Sequence, residues 1–97
     1  MTTTSKVDQV VQEEAFFLLA PNPTYGQMDL LYTVEKSEEA IIYVFDMLGR
    51  RLHELEVDNI KGLNKVKVDV VNFPAGTYIL HVETGETTHT KKFVKLR

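Results

Sequence analysis

Two alternating strands joined by a corner can be read in residues 64–82, NKVKVDVVNFPAGTYILHV. The first half places valine at every second position, at Val66, Val68 and Val70, which is the pattern of a half-buried strand. The corner holds Pro74, which presets φ, and Gly76, which permits a left-handed exit. Beyond the corner every second residue is again apolar: Tyr78, Leu80 and Val82. This stretch therefore predicts an all-β fold.

Short apolar segments broken by turn residues surround this stretch on both sides. Further strands are predicted at 17–20, 27–34, 40–45, 52–57 and 89–96, which brings the total to about seven. The segment 40–45 is apolar on both faces and is therefore expected at the centre of a sheet. No stretch beyond Glu14 keeps a helical period for ten residues. The architecture predicted from the pattern is an antiparallel two-sheet β-sandwich with Greek-key connections.

Composition limits both the size of the protein and its function. The 97 residues suit one domain, predicted at 15–97, behind a polar linker or tail at 1–14. A net charge of −3 argues against a nucleic-acid partner, and no apolar run approaches the roughly 20 residues that span a bilayer. The absence of cysteine excludes disulfides, and the first residues do not form a secretory signal.

The residue types that could bind a metal or take part in catalysis are spread along the sequence and form no recognisable motif. The three histidines, His53, His81 and His89, lack the spacing of a metal site and are expected at the surface or rim. Ser5 and Ser37 lie in polar segments that do not resemble a nucleophile elbow. The glycines are single and separated, so they form no phosphate loop. The sequence predicts no catalytic residue, metal or cofactor, and hence no enzyme.

The turn residues nevertheless form an ordered series of four motifs. They are Ala20-Pro21-Asn22-Pro23-Thr24-Tyr25-Gly26, Ile42-Tyr43-Val44-Phe45-Asp46-Met47-Leu48-Gly49-Arg50, Phe73-Pro74-Ala75-Gly76-Thr77-Tyr78-Ile79-Leu80 and Lys91-Lys92-Phe93-Val94-Lys95. In order and spacing they resemble the type A C-terminal sorting domain of the type IX (Por) secretion system, over residues 17–96. Tyr25 departs from the family, where small polar residues are frequent at this place.

The resemblance implies an immunoglobulin-like sandwich that directs an attached cargo protein for export. Cargo of this family reaches the periplasm, is recognised by an outer-membrane translocon and is usually released at the cell surface by a sortase-like peptidase. The chain is then expected to be part of a longer protein with an upstream cargo domain. A peptidase cut is expected between Ser5 and Phe16, where the sequence is polar.

Two sets of residues are singled out by the motifs. Scaffold roles in turns and strand ends are expected for Pro21, Asn22, Pro23, Gly26, Asp46, Gly49, Arg50, Pro74, Gly76 and Tyr78. Recognition by the translocon is expected at the last strand, through Lys91, Lys92, Phe93, Val94 and Lys95. An ordinary edge strand protected by lysines is an equal alternative for that strand.

Two other functions fit the same fold. A cell-surface binding module of carbohydrate-binding or fibronectin-like type would need exposed aromatics on one face, and Tyr43 and Phe45 could share an outer face with Ile79. A linker domain of a multidomain chain predicts residues following Arg97. The sequence specifies neither the cargo nor the oligomeric state.

Overall fold

The computed structural model describes residues 17–85 and 87–97. They form seven strands, β1 Phe17–Ala20, β2 Gln27–Val34, β3 Glu38–Asp46, β4 Arg51–Asn59, β5 Gly62–Asp69, β6 Gly76–Glu83 and β7 Thr88–Lys95. The prediction of an all-β fold is confirmed. The predicted bounds of β1 and β2 agree with the observed ones, and those of the other strands differ by one or two residues at their ends. The predicted linker at 1–14 and the predicted peptidase cut lie outside the described residues.

The strands form two antiparallel sheets that pack as an immunoglobulin-like sandwich. The three-stranded sheet has the order β1-β2-β5, and the four-stranded sheet has the order β4-β3-β6-β7. The chain passes from one sheet to the other after β2, β4 and β5, which gives the crossed connections of this sandwich class. β3 lies between β4 and β6, so the apolar segment 40–45 is central as predicted.

Apolar side chains from both sheets fill the space between them. The buried set is Leu19, Met28, Leu30, Tyr32, Ala40, Ile42, Val44, Val68, Val70, Tyr78, Leu80, Val82 and Phe93. It contains three alternate residues from each of β2, β3 and β6, because alternate side chains of a strand point to opposite faces. At one end of the core the Tyr32 hydroxyl donates to the side-chain oxygen of Asn59, and burial raises the pKa of Tyr32.

The corner before β6 is closed by its tyrosine. The Tyr78 hydroxyl donates to the carbonyl oxygen of Pro74, four residues earlier, in the arrangement known from immunoglobulin-like domains as a tyrosine corner. The Tyr78 ring packs edge-on against Phe73 and stacks on Phe93 at a centroid distance of 5.5 Å. Gly76 has a φ of +157°, a positive value that residues with a side chain rarely adopt, so a substitution there strains the backbone.

The turn between β3 and β4 is organised by one carboxylate. Asp46 Oδ1 accepts the backbone N–H groups of Leu48 and Arg50, both at 2.9 Å, and Oδ2 accepts the Arg50 Nε–H at 2.7 Å. Gly49 has a φ of +88°, in the left-handed region that glycine adopts at little cost. The backbone N–H of Arg50, then its guanidinium and the N–H of Leu48, lower the pKa of Asp46 below its ordinary value of 3.8.

Removing one hydroxyl from the corner tests its contribution to stability. We expect Tyr78→Phe to lower the free energy of unfolding by about 1 kcal/mol, because the ring stays in place while a largely buried hydrogen bond is lost. Denaturant unfolding measures the change. Tyr25→Phe is the matched control, since it removes the same group from a ring that is 71% exposed. Equal effects of the two substitutions would contradict the role of the corner.

The carboxylate of Asp46 should make the stability of the hairpin depend on pH. Because its pKa is lowered in the folded chain, its charge stabilises the fold above about pH 3.8 and that contribution is lost as the pH falls through the folded pKa. We expect Asp46→Asn to melt at a lower temperature than the parent at neutral pH, and the difference to shrink near pH 2. A difference that stays constant between the two pH values would rule out the charge as its source.

Candidate functional site

The last strand and the segment that crosses to it form the candidate site. β7 is bonded to β6 along its whole length and is the edge of the four-stranded sheet. Its predicted recognition residues do not share one environment. Phe93 is fully buried in the core, and Lys95 is 6% exposed with its ammonium donating to the carbonyl of Leu96 at 2.9 Å. Lys91 and Lys92 are exposed, and Val94 is half-buried.

After β1 the chain leaves the three-stranded sheet and runs along the outer edge of β7. The side chain of Asn22 takes the place of a strand there, since its Nδ2 donates to the Lys92 carbonyl at 2.9 Å and its Oδ1 accepts the Val94 N–H at 3.0 Å. Thr24 continues the pairing in parallel: its N–H donates to the Val94 carbonyl at 2.9 Å and its carbonyl accepts the Leu96 N–H at 2.7 Å.

The residues on either side of Asn22 suit this crossing. Pro21 and Pro23 have no N–H to leave unpaired, and the peptide bonds before both are cis. Between the two prolines, Asn22 bonds to β7 with its side chain. Sequence reasoning assigned these residues a turn and missed the contact with β7, although an amide between two prolines is a signal that could have indicated it.

Thr24 fixes where the crossing ends and β2 begins. Its side chain is 1% exposed, and its hydroxyl accepts the Gly26 N–H at 3.0 Å and donates to the Gln27 carbonyl at 2.9 Å. Gly26 also lies close to the end of the neighbouring strand, since a Cβ at that position would lie 3.0 Å from the Cβ of Val71, which follows β5. Glycine is therefore required at position 26 because a side chain has no space there. The role expected from the sequence was to form the turn.

The crossing segment covers only part of the edge of β7. The groups bonded to it belong to Lys92, Val94 and Leu96, so the backbone N–H and C=O groups that point away from β6 are those of even-numbered residues. By this alternation the outward groups of Thr88 and Thr90 and the N–H of Lys92 lie beyond the covered part. In the part of the chain that the structure describes, no strand lies beyond β7. We call residues 88–92 the open half of the edge.

The aromatic residues considered for a sugar platform do share a face. The register pairs Phe45 with Ile79 and Tyr43 with His81, so all four side chains lie on the outside of the four-stranded sheet. The ring planes of Tyr43 and Phe45 are inclined at 40°, and the Arg51 guanidinium lies 5.1 Å from the centroid of the Tyr43 ring. This arrangement is not the flat surface on which a sugar ring stacks.

The described residues contain neither a metal-binding cluster nor a membrane-spanning helix. Among residues 17–85 and 87–97, no group of three or more His, Cys, Asp or Glu side chains is arranged to hold a metal ion. The same residues contain no helix that is long and apolar enough to cross a membrane. The three histidines have different environments. His53 is exposed, His81 contacts the aromatic rings on the outer face, and the His89 ring stacks on Phe17 with the ring centroids 5.0 Å apart.

Comparison with known proteins agrees with this geometry. None of the curated proteins matches the chain. A family model described as "Secretion system C-terminal sorting domain" matches residues 19–96, which covers the second half of β1 and every later strand. Domains of this family are sorting signals of cargo proteins for the type IX system. The chain belongs to the family of type IX secretion C-terminal sorting domains.

Proposed function

We propose that this domain carries an attached upstream protein across the outer membrane to the cell surface, and that the translocon binds it at the open half of β7. A sortase-like peptidase then separates cargo and domain. The domain itself performs no chemistry. The observation that supports the binding site is the division of the β7 edge at Lys92 between a covered half and an open half.

An open strand edge supports binding by strand addition. A partner strand can bond to the outward N–H and C=O groups of Thr88 and Thr90 and to the N–H of Lys92, which supplies affinity for any sequence. Selectivity then comes from the neighbouring side chains. Lys91 and Lys92 are exposed on opposite faces of the strand, so a partner strand laid there meets a positive charge on each side.

The burial of Phe93 and Lys95 limits their part in recognition. A folded domain does not offer Phe93 to a partner, because the ring lies between the sheets against Tyr78. Their role in this proposal is to anchor the end of β7. Deleting the last five residues would remove Phe93 from the core, so loss of export after that deletion would not separate recognition from folding.

The upstream chain enters beside the open half. Phe17, the first residue of β1, stacks on His89, the second residue of β7. A partner strand on residues 88–92 therefore lies next to the segment that joins the domain to its cargo. This neighbourhood supports a mechanism in which binding of the domain and cleavage of the connecting chain take place at the same end of the sandwich.

Proline at the centre of the open half tests the proposal. Thr90→Pro removes an N–H that points away from β6, so the fold keeps its ladder while a partner strand loses a donor. In a host with this secretion system, we expect an exported reporter fused to residues 15–97 to reach the cell surface with the parent domain. The Thr90→Pro fusion is expected to accumulate in the periplasm, with surface display reduced at least about tenfold.

Thr90→Val is the matched control, because it keeps the N–H and the branched shape of the side chain. Thermal melting of the purified domains establishes that both variants are folded. Normal display of a folded Thr90→Pro fusion contradicts binding at the open half. Failure of the parent fusion to leave the periplasm contradicts the export function itself.

A further inference from the structure

The outer face of the four-stranded sheet is ordered in three rows that run across all four strands. Its residues are aligned by the cross-strand register and lie on the side opposite the buried Ala40, Ile42 and Val44. The acidic row is Glu56, Ile41, Glu83 and Thr88; the aromatic row is Glu54, Tyr43, His81 and Thr90; the basic row is Arg51, Phe45, Ile79 and Lys92. Consecutive rows are about 6.8 Å apart along β3, β6 and β7, where they are two residues apart; on β4 a register shift places Arg51 three residues from Glu54.

Charge of opposite sign lies at the two ends of this face. The acidic row contains Glu56 and Glu83, and beyond it Glu39 and Asp58 form the next cross-strand pair. A depression of about 280 Å³ opens among Glu39, Glu56 and Asp58. The basic row places Arg51 on one outer strand and Lys92 on the other, with both side chains exposed. The face is thus negative at one end and positive at the other.

The centre of the face is apolar and partly accessible. The rings of Tyr43, Phe45 and His81 contact one another at centroid distances of 5.9 to 6.1 Å. Ile41 and Ile79 flank them, and all five side chains are half-buried. Glu54, the one carboxylate in the aromatic row, lies 3.9 Å from Arg51 of the same chain. A band of apolar surface between two charged ends is the usual composition of an interface centre and its rim.

We propose that a second copy of this chain docks on this face, with a two-fold axis along the aromatic row. Such an axis turns the second sheet so that each strand lies against its own copy in the opposite direction. The acidic row of each copy then meets the basic row of the other. Glu56 faces Arg51 of the second copy, and Ile41 faces Phe45 of the second copy. Glu83, on β6, lies one strand away from Lys92 on β7 of the second copy.

The second copy fits this face because the charges are self-complementary under that axis. A partner of one sign would satisfy one end of the face and repel the other. The area is roughly 500 Å² per copy, or about 1,000 Å² in total, which is near the lower limit for specific interfaces and predicts a weak dimer. The outward N–H groups of β7 lie in the plane of the sheet, so the dimer leaves the backbone groups of the open half accessible while it engages the Lys92 side chain.

Charge reversal of each end separately, followed by mixing, tests the dimer. Sedimentation velocity of the 97-residue chain over a range of concentrations is expected to show a reversible monomer–dimer equilibrium that weakens with salt. The double variant Arg51→Glu/Lys92→Glu should raise the dimer dissociation constant at least about tenfold, because like charges then oppose each other at both ends. The double variant Glu56→Lys/Glu83→Lys should do the same. An equimolar mixture of the two variants should regain association.

Lys65→Glu/Lys67→Glu is the matched control, since it makes the same change of charge on the exposed outer face of the other sheet. It should leave the dissociation constant within about twofold of the parent. A chain that stays monomeric at all concentrations overturns the proposal. So does a dimer that both reversed variants form as tightly as the parent, or one whose affinity is not restored by mixing.

Discussion

The crossing of the chain from the three-stranded sheet to the edge of β7 is the constraint on which the rest of the sandwich depends. β1 pairs with β2 in one sheet, and four residues later Thr24 is bonded to the last strand of the other. The first and last parts of the domain are thereby joined. Thr24 is buried against the core, and Gly26 lies close to Val71 at the end of β5.

The same crossing decides how much of the last strand remains available. An uncovered strand edge is a site for pairing with other chains, and proteins usually cover or charge it. Here the crossing covers the part next to the buried Phe93 and Lys95, and within residues 17–85 and 87–97 nothing pairs with the outward groups of Thr88 and Thr90 or with the N–H of Lys92. A sorting domain needs both properties, because it must stay folded and soluble beside many cargo proteins and still present a surface that its machinery can bind.

Much of the fold follows from the sequence because period-two alternation and turn residues act locally. The alternating valines of β5, the doubly apolar β3 and the proline-glycine corner were sufficient to predict the strands and the sandwich. The organisation of the candidate site depends on contacts between distant residues. Nothing local in the motif Lys91 to Lys95 indicates that Lys95 is buried while Lys91 and Lys92 are exposed. The difference arises because the crossing segment lies beside Lys95 in the folded chain. Likewise, the bond from Asn22 to a strand seventy residues away requires the sheets to be packed first.

Amide hydrogen exchange along β7 tests the central claim most directly. The N–H groups of Thr90, Lys92, Val94 and Leu96 all point away from β6, so they differ only in what lies beyond them. The structure predicts protection of Val94, bonded to Asn22, and of Leu96, bonded to Thr24, together with fast exchange of Thr90 and Lys92. Equal protection of all four amides, or fast exchange at Val94 and Leu96, would contradict the division of the edge on which the account is built.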